Sequence, residues 1–331
     1  MTRDAYGRDA HVLMRRRPDG DVGQGTVQTH TAGPFLQIPV FSATIGVSQP
    51  LTEEAKLPQS RNPSRQFPDL ADASGSIVTC LDTDYIGYHL TALLGAPDTT
   101  GTEDPYQHVW TVGLADLLKH DFYVEDRGLT TPRQYRHEGV VYNTMAINVA
   151  KSGAAQRVTF GLLSEEEVLA AQSADADPIA PAATAFEFRS WQASVAVEGA
   201  TDAGVVGCDF TLSNGLEPDQ GLLNAKATPA GNLLGNFSLN GSLRVRARND
   251  FFKALARANA LADITIGYTQ SDNRSISMVL HNAAFPRAPT ELNGAGVIEE
   301  SYNFALDEPE DGVSPVTITL NSALANFDMP S

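Results

Sequence analysis

Residues 74–86 read SGSIVTCLDTDYI, and residues 240–252 read NGSLRVRARNDFF. Each stretch places alternating apolar residues after a glycine and an aromatic residue after an aspartate, which predicts a strand followed by a helix. The markers Gly75 and Asp84 align with Gly241 and Asp250 at a constant offset of 166 residues. This offset is far longer than the roughly 20–50 residues of solenoid repeats, so it indicates a duplicated domain rather than a stacked array.

Strand alternation bounded by Gly, Pro, Asn and Asp dominates the chain from Phe35 onward. Residues 141–149 alternate in this way and, after a short turn, residues 157–163 alternate again, which predicts a β-hairpin. Helical periodicity is confined to two short segments. The first is expected to have Asp84 as its N-cap, and the second either Asn249 or Asp250. The sequence therefore predicts a mainly β protein with two tandem related β-sandwich or barrel domains, each with one short α-helix.

These signals divide the chain into four segments. Residues 1–35 show no periodicity and are predicted to be an extended N-terminal arm that stays flexible until it is bound. Residues 36–163 form the first predicted β domain and residues 186–331 the second. Residues 164–185 are rich in Ala, Asp and Pro and are interpreted as the linker between them.

Two predicted loops are long for a compact domain. They cover residues 48–72 and residues 217–236. Long loops in compact domains are usually functional, so we expect the first one to contact a partner. Four of its residues are candidate contacts between subunits: Pro50, Leu51, Leu57 and Pro63.

Two groups of arginines are further candidate contacts between subunits. Arg244, Arg246 and Arg248 alternate with apolar residues, so one strand presents its guanidinium groups on one face. A solvated face explains this pattern, and a contact with the carboxylates of a neighbouring subunit is the alternative, because Arg forms paired hydrogen bonds with carboxylates. The second group, Arg15, Arg16 and Arg17, lies in the predicted arm.

The formal net charge of −17 argues against a protein that reads nucleic acid, which would need clustered cations to neutralise phosphates. Lys and Arg are absent from residues 66–118, 158–188 and 288–331. Solubility accounts for such acidity. Alternatively, some of these tracts line a surface past which a polyanion moves without binding.

The sequence contains no recognisable catalytic or metal-binding motif. Residues 82–84 read DTD but lack the later ligands of a calcium loop, and His89 is interpreted as a structural histidine. Cys80 and Cys208 lie in predicted strands, where each is expected to be a small buried hydrophobe. No cofactor is predicted, and no apolar run is long enough to span a membrane.

Read in order, several segments resemble the tail tube proteins of long-tailed, siphovirus-type bacteriophages, in the two-domain branch of that family. The resemblance covers most of the chain. The segments are residues 45–54 (IGVSQPLTEE), 74–77 (SGSI), 85–101 (YIGYHLTALLGAPDTTG), 106–111 (YQHVWT), 210–217 (FTLSNGLE), 241–243 (GSL) and 316–321 (VTITLN). Their order and spacing carry the resemblance, because each segment alone is a structural motif.

The resemblance implies β domains whose sheets join side by side into rings, and rings that stack into a hollow, acidic-lined tube for DNA ejection. Such rings generally contain six domains, so a chain with two domains would close a ring as a trimer with pseudo-sixfold symmetry. The alternative is six chains with one domain of each on the outside. The arm and the loop at residues 48–72 would contact the next ring.

The resemblance also implies the partners and the location of the protein. The expected partners are further copies of the chain and the tape-measure, tail terminator and distal tail proteins. Genomic DNA would pass transiently without specific binding. The location would be the tail of the virion, after synthesis in the cytoplasm of the host bacterium, with no membrane association.

Two other classes of protein share parts of this pattern. A glycan- or receptor-binding β-sandwich of a tail tip or adhesin would have similar strands but should expose a cluster of aromatic residues. The tryptophans Trp110 and Trp191 both lie in strand-like contexts that favour core packing. A glycosidase-like enzyme would need paired carboxylates, and no spacing in the sequence indicates such a pair. We therefore predict that the chain is not an enzyme.

Overall fold

The computed structural model describes residues 10–21, 33–54, 64–113, 117–126, 133–170, 176–179, 186–200, 204–223, 226–270, 274–287, 289, 296–307 and 313–330. The first half contains strands β1 (Ala10–Asp21), β2 (Gly33–Ile38), β3 (Ser42–Ser48), β4 (Leu51–Glu53), β5 (Gln66–Pro68), β6 (Asp72–Cys80), β7 (Asp98–Thr100), β8 (Tyr106–Thr111), β9 (Leu118–Asp126), β10 (Arg133–Ala150), β11 (Arg157–Leu163), β12 (Glu166–Ala170) and β13 (Ala176–Ile179), with helix α1 (Tyr85–Leu94) between β6 and β7.

The second half contains strands β14 (Ala193–Val197), β15 (Val205–Ser213), β16 (Glu217–Pro218), β17 (Asn232–Leu233), β18 (Ser238–Arg246), β19 (Leu261–Thr269), β20 (Ser275–Ala284), β21 (Glu299–Leu306) and β22 (Val316–Ser322), with helix α2 (Phe251–Ala258) between β18 and β19. The fold is mainly β, as predicted. The strands expected at residues 141–149 and 157–163 form an antiparallel hairpin of β10 and β11.

One antiparallel sheet runs through both halves of the chain in the order β3–β6–β11–β10–β15–β18–β21, and we call it the main sheet. At its centre, Thr144–Ala150 of β10 pairs with Gly207–Ser213 of β15. Sheet hydrogen bonds therefore join a strand from before the predicted linker directly to a strand from after it.

Two further groups of strands are connected to the main sheet through bent strands. One runs β7–β8–β22–β20–β19–β14, and β20 also meets β21 at Ala283 and Ala284. The other runs β13–β2–β1–β9–β10–β12 and uses the first part of the long strand β10. Because β10 and β20 each connect two groups, all the described strands except the two small pairs β4–β5 and β16–β17 form one connected network.

The core lies on one side of the main sheet. In β15, Cys208, Phe210 and Leu212 are buried while Asp209 and Thr211 are exposed, which is the alternation expected of a half-buried strand. Buried residues from both halves of the chain join one continuous hydrophobic cluster. The main sheet thus has a core face and a solvent face along its whole width.

Helices α1 and α2 follow equivalent strands. The cap predicted at Asp84 does not form, whereas Asn249, one of the two caps predicted for α2, does accept a hydrogen bond from its first turn. Asp84 and Asp250 occupy the N-cap positions, yet neither side chain makes a capping hydrogen bond. The carboxylate of Asp82 instead accepts the N–H of Asp84 at 2.9 Å, and the side chain of Asn249 accepts the N–H of Phe251 at 3.1 Å. The residue one or two places earlier reaches the first turn, because each chain segment bends before its helix begins.

The predicted arm and linker both contain strands. Residues 10–21 form β1, which pairs with β2 and β9, so this part of the arm is a strand of a sheet rather than a flexible segment. Within residues 164–185, β12 pairs with β10 and β13 runs parallel to β2. The division of the chain into two domains stays a prediction.

Candidate functional site

The glycines of the repeat mark a close approach between strands. Gly75 lies in β6 and Gly241 in β18. A Cβ atom on Gly75 would lie 2.1 Å from the carbonyl oxygen of Thr44 in β3, and one on Gly241 would lie 2.4 Å from that of Asp209 in β15. Both copies of the repeat therefore use glycine at the same place, to let the preceding strand pack against its neighbour.

The two predicted long loops occupy equivalent places in the repeat. Residues 48–72 connect β3 to β6, and residues 217–236 lie in the connection from β15 to β18. Each loop contains a small two-stranded sheet, β4–β5 in the first and β16–β17 in the second. The N–H of Ala71 donates to the carbonyl oxygen of Ala227 at 2.9 Å, and its own carbonyl accepts the side chain of Gln220 at 2.9 Å. We call the two joined loops the loop end of the molecule.

Exposed apolar side chains are frequent at the loop end. They are Leu51, Phe67, Leu70, Leu222, Leu223, Leu233 and Leu234. Concentrations of exposed apolar groups on a folded chain mark interaction sites. Of the predicted contact residues, Pro50 and Leu51 lie here and are exposed. Leu57 and Pro63 lie outside the described residues.

The arginines of the second repeat lie at the opposite end of the main sheet. Arg244 and Arg246 in β18 are about half exposed, and the Nε atom of each lies 3.8 Å from a carboxylate oxygen of Glu299. Arg248 follows the strand and is also exposed. The predicted alternation is therefore present for Arg244 and Arg246, whose guanidinium groups share the solvent face.

These three arginines line one open groove together with Lys151 and Trp191, and we call it the arginine groove. Trp191 is 58% exposed, so the prediction that it packs in the core is wrong. Residues 190–192 form a short 3-10 turn before β14, which removes Trp191 from the strand alternation. Trp110, in contrast, is buried in β8 as predicted.

The two ends of the main sheet differ in charge. The groove end carries six exposed cations, Lys151, Arg157, Arg189, Arg244, Arg246 and Arg248, against the exposed carboxylates Glu187, Asp250 and Glu299. The loop end carries five exposed carboxylates, Glu53, Glu54, Asp69, Asp72 and Glu217, against the exposed cations Arg65 and Lys226. The molecule is therefore electrostatically polar along its strands, although its overall charge is strongly negative.

The arginines of the predicted arm differ from one another in exposure. Arg15 and Arg17 are buried, and their guanidinium nitrogens lie 3.4 and 3.5 Å from the carboxylate of Asp121. Arg17 also lies 3.6 Å from Glu138. Arg16 is exposed. Within this chain, Arg15 and Arg17 serve an internal ion-pair cluster, and Arg16 is the member of the trio presented to solvent.

The buried histidines are structural. The Nδ1 atom of His89 lies 2.8 Å from the hydroxyl oxygen of Tyr142, and its ring stacks on Phe160. Burial lowers the pKa of His89 to about 3, with a smaller contribution from nearby His120, so the ring is neutral at pH 7. Among the described residues, no group of three His, Cys, Asp or Glu side chains is placed to hold a metal ion.

The remaining titratable groups singled out in the sequence are also buried. Burial raises the pKa of Asp82 to about 7, against the lowering effect of the backbone N–H groups that it accepts. Burial likewise raises the pKa of Cys80 and of Cys208 to about 12, so both thiols stay protonated and behave as small hydrophobes. Cys80 and Cys208 are free and buried, as expected.

A protein-family model described as phage tail tube protein matches residues 7–306. The chain belongs to the phage tail tube protein family. The match spans both copies of the repeat, both loops and the arginine groove. The comparison with curated proteins found no significant match.

A tail tube protein is a structural component of the virion tail, which assembles with further copies into a tube and contacts other tail proteins. The family is a structural family and not an enzyme family. None of the helices in the described residues is long and apolar enough to cross a bilayer.

Sequence reasoning missed several surface features of this tail tube protein. The exposed leucines of residues 217–236 were not singled out, although the repeat places that loop beside the one at residues 48–72. Lys151 and Trp191 of the arginine groove were also missed as surface groups. The repeat offset of 166 residues was the available signal for the second loop, because it relates the two loops. A contact surface predicted for one loop is therefore also expected in the other.

Proposed function

We propose that this tail tube protein is the major tube subunit and that it polymerises into stacked rings that form a conduit for DNA ejection. The main sheet carries this proposal, because the two copies of the repeat already lie side by side in it. Three such chains would supply six repeats to a ring with pseudo-sixfold symmetry. The alternative, with one repeat inside the ring and one outside, would require the copies to separate at the β10–β15 junction.

The solvent face of the main sheet is our candidate for the wall of the conduit. Small polar residues from its seven strands share this face. They include Ser42, Thr44, Ser74, Ser76, Thr159, Thr144, Asn148, Thr211, Asn240, Ser242, Ser301 and Asn303. Asp209 is a carboxylate near the middle of this face, and it accepts the hydroxyl of Ser242 at 2.7 Å.

A wall of this composition suits the passage of DNA. Cations would hold the phosphate backbone by releasing its counterions, and this face contains few of them. The acidic lining expected from net charge is replaced in this proposal by a mainly uncharged one, because most carboxylates lie elsewhere. Arg157, Arg244 and Arg246 lie towards one end of the face, where Glu299 lies within 4 Å of Arg244 and of Arg246.

The opposite charges of the two ends support stacking of rings in one direction. The loop end of one ring would meet the groove end of the next, so that carboxylates face arginines and exposed leucines approach Trp191. Complementary charge favours this encounter over the contact of two like ends. Pro50, Leu51, Leu57, Pro63 and the three groove arginines remain our candidate contacts between subunits, and Arg16 is the candidate from the arm.

Membership of the family supports our proposals for the partners, the place of synthesis and the absence of catalytic activity. The tape-measure, tail terminator and distal tail proteins are the proposed partners, with synthesis in the host cytoplasm and no catalytic activity.

A glycan- or receptor-binding module is the second candidate function, and the exposed Trp191 is the observation that favours it. The cations around Trp191 are less suited to a neutral glycan than to carboxylates of a neighbouring subunit.

Electron microscopy of purified virions with a label on this chain tests the proposal. We expect label along the whole length of the tail tube. Label confined to the tail tip, together with binding of the soluble chain on a glycan array, would instead identify a receptor-binding module.

A further inference from the structure

The repeat brings charged side chains of both copies to the same height on the solvent face of the main sheet. Strands β6 and β18 are equivalent, so Cys80 takes the place of Arg246. Cys80 pairs with Arg157 of β11, and Arg246 pairs with Glu299 of β21. Arg157 and Glu299 therefore occupy equivalent positions in the two copies, and both are exposed.

Each copy carries one net positive charge at this height, although different residues supply it. In the second copy, Glu299 lies 3.8 Å from the Nε atoms of Arg244 and Arg246. Two arginines and one glutamate leave a single net positive charge. In the first copy, a valine and a cysteine of β6 take the places of these two arginines, and Arg157 supplies the charge. The equal charge is therefore not inherited from matching residues of the repeat.

The arginine side chains of the two copies also reach equivalent places. Strands β3 and β15 are equivalent, because each pairs with the glycine-marked strand of its own copy. The guanidinium group of Arg157 lies over the ring of Phe41, just before β3, at 4.3 Å from the ring centroid. That of Arg244 lies beside Gly207 near the start of β15, where an added Cβ would be 3.5 Å from its Nη2 atom. Both cations therefore lie across the same part of the solvent face.

These cations are available to an anion outside the chain. Among the described residues, the ion pairs at this end of the sheet are those of Glu187 and Glu299, and neither includes Arg157. The contact with Phe41 holds Arg157 without neutralising its charge. In the second copy, a separation of 3.8 Å is too long for a hydrogen bond, so Glu299 does not satisfy the Nε–H groups that face it.

We propose that Arg157, Arg244, Arg246 and Glu299 form a belt that contacts the phosphate backbone of double-stranded DNA as it passes through the ring. This inference rests on the proposed tube function, in which the solvent face is the wall of the channel. Three chains would supply six copies of the repeat, so six net positive charges would surround the DNA at one height. Duplex DNA carries about one charge per 1.7 Å of its axis, on all sides, so it meets such a belt in any rotation.

The belt suits a transient contact with DNA better than a contact with an acidic protein. The rest of the proposed wall is mainly small and polar, so each ring would hold the duplex at one height only. Evenly spaced charges around a channel match a ligand that is charged around its whole circumference. An acidic peptide presents its carboxylates on particular faces and would not need the same charge from both copies.

Co-sedimentation of open tubes with a short fluorescent DNA duplex tests the belt. We expect tubes of the parent chain to retain the duplex at about 50 mM NaCl and to release it by about 200 mM, because salt opposes the release of counterions from phosphates. Parent tubes that retain no duplex at the lower salt concentration would overturn the proposal.

Substitutions at Arg157 assign the retention to the belt, because this residue lies outside the arginine groove proposed for stacking. Arg157→Gln removes one of the two net charges of each chain, so the slope of log affinity against log salt should fall by about half. Arg157→Lys keeps the charge and should keep the slope. Lys226→Gln removes an exposed cation at the loop end and is the matched control, which should behave like the parent chain.

The outcomes separate the inference from the function. Tubes of Arg157→Gln with the slope of the parent would refute the belt and leave the tube function standing. Retention of poly-L-glutamate as strong as that of the duplex, with the same dependence on Arg157, would overturn the assignment to DNA in favour of an acidic protein. Virions that place the parent chain outside the tube would refute the function itself.

If Arg157→Gln fails to assemble, phenylglyoxal labelling of arginines in parent tubes decides. The duplex should protect Arg157 and leave Arg65, an exposed arginine at the loop end, as reactive as before. Equal labelling of Arg157 with and without the duplex would overturn the proposal.

Discussion

A methyl group added at Gly75 would test the packing that defines the repeat. In Gly75→Ala, the new Cβ would lie 2.1 Å from the carbonyl oxygen of Thr44 and 2.7 Å from the Cα of Ile45. Both are backbone atoms of β3, so no side chain can rotate away to relieve the clash. Strand β3 itself must move away from β6.

The cost follows from two opposing effects. Overpacking of this kind costs about 1–3 kcal/mol, and the loss of glycine freedom in the unfolded chain returns about 0.4–1 kcal/mol. We therefore expect Gly75→Ala to lower the free energy of unfolding by about 1.3 kcal/mol. At about 2.1 cal/mol/K per residue, a chain of 331 residues has an unfolding entropy near 0.7 kcal/mol/K, so Tm should fall by about 2 °C.

Urea unfolding of unassembled chains, followed by circular dichroism, measures this change. Gly153→Ala is the matched control, because a Cβ there would have no atom within 4 Å. Gly241→Ala should behave like Gly75→Ala, since its Cβ would lie 2.4 Å from the carbonyl oxygen of Asp209. If Gly75→Ala and Gly153→Ala agree within about 0.5 kcal/mol, the close approach of β3 and β6 does not exist as described.

Three further predictions concern charge. Arg15→Met should lower the free energy of unfolding by about 3 kcal/mol, because it leaves the buried Asp121 with less compensation, whereas the exposed Arg16→Ala should stay within about 0.5 kcal/mol; equal effects in urea unfolding would contradict the buried cluster. The unfolded chain protonates His89 near its ordinary pKa while the folded chain resists down to about 3, so stability present above pH 6.5 is lost as the pH falls. The urea stability of His89→Gln should accordingly fall less between pH 7 and pH 4 than that of the parent, and equal slopes would rule out this origin. Arg246→Glu should shorten tubes seen by electron microscopy, as should high salt acting on the parent, and unchanged lengths in both would exclude the arginine groove from ring stacking.

The strands were predictable where alternation and burial agree. The hairpin of β10 and β11 shows this, as does β15, because every second residue faces the core. The short helices were also predictable in place, since each follows the glycine-marked strand of the repeat. Local patterns were sufficient to predict these strands and helices, because each of them needs only an apolar surface to pack against.

Elements whose stability depends on charged residues far away in the sequence could not be predicted from local sequence patterns. Strand β1 contains Arg15 and Arg17, which look like solvated residues in the sequence. The fold brings Asp121 to them from 106 and 104 residues away, respectively. The carboxylate of Asp82 is a different case, because it accepts N–H groups only two and four residues later in the chain. The local bend, which periodicity does not encode, decides that Asp82 rather than Asp84 accepts them.

The candidate site was predictable only in part, for a similar reason. The alternation of Arg244 and Arg246 located one face of one strand, and loop length located residues 48–72. That these features lie at opposite ends of one sheet depends on the strand order. Trp191 shows the limit most clearly, because one short turn moves an apparently buried tryptophan into a groove.

Cryo-electron microscopy of native tails, with end-on averaging and a map that resolves strands, tests the central claim most directly. The account predicts rings of three chains with pseudo-sixfold symmetry and a central channel walled by the solvent face of the main sheet. A ring of six equivalent chains in which the two repeats lie at different radii would contradict it.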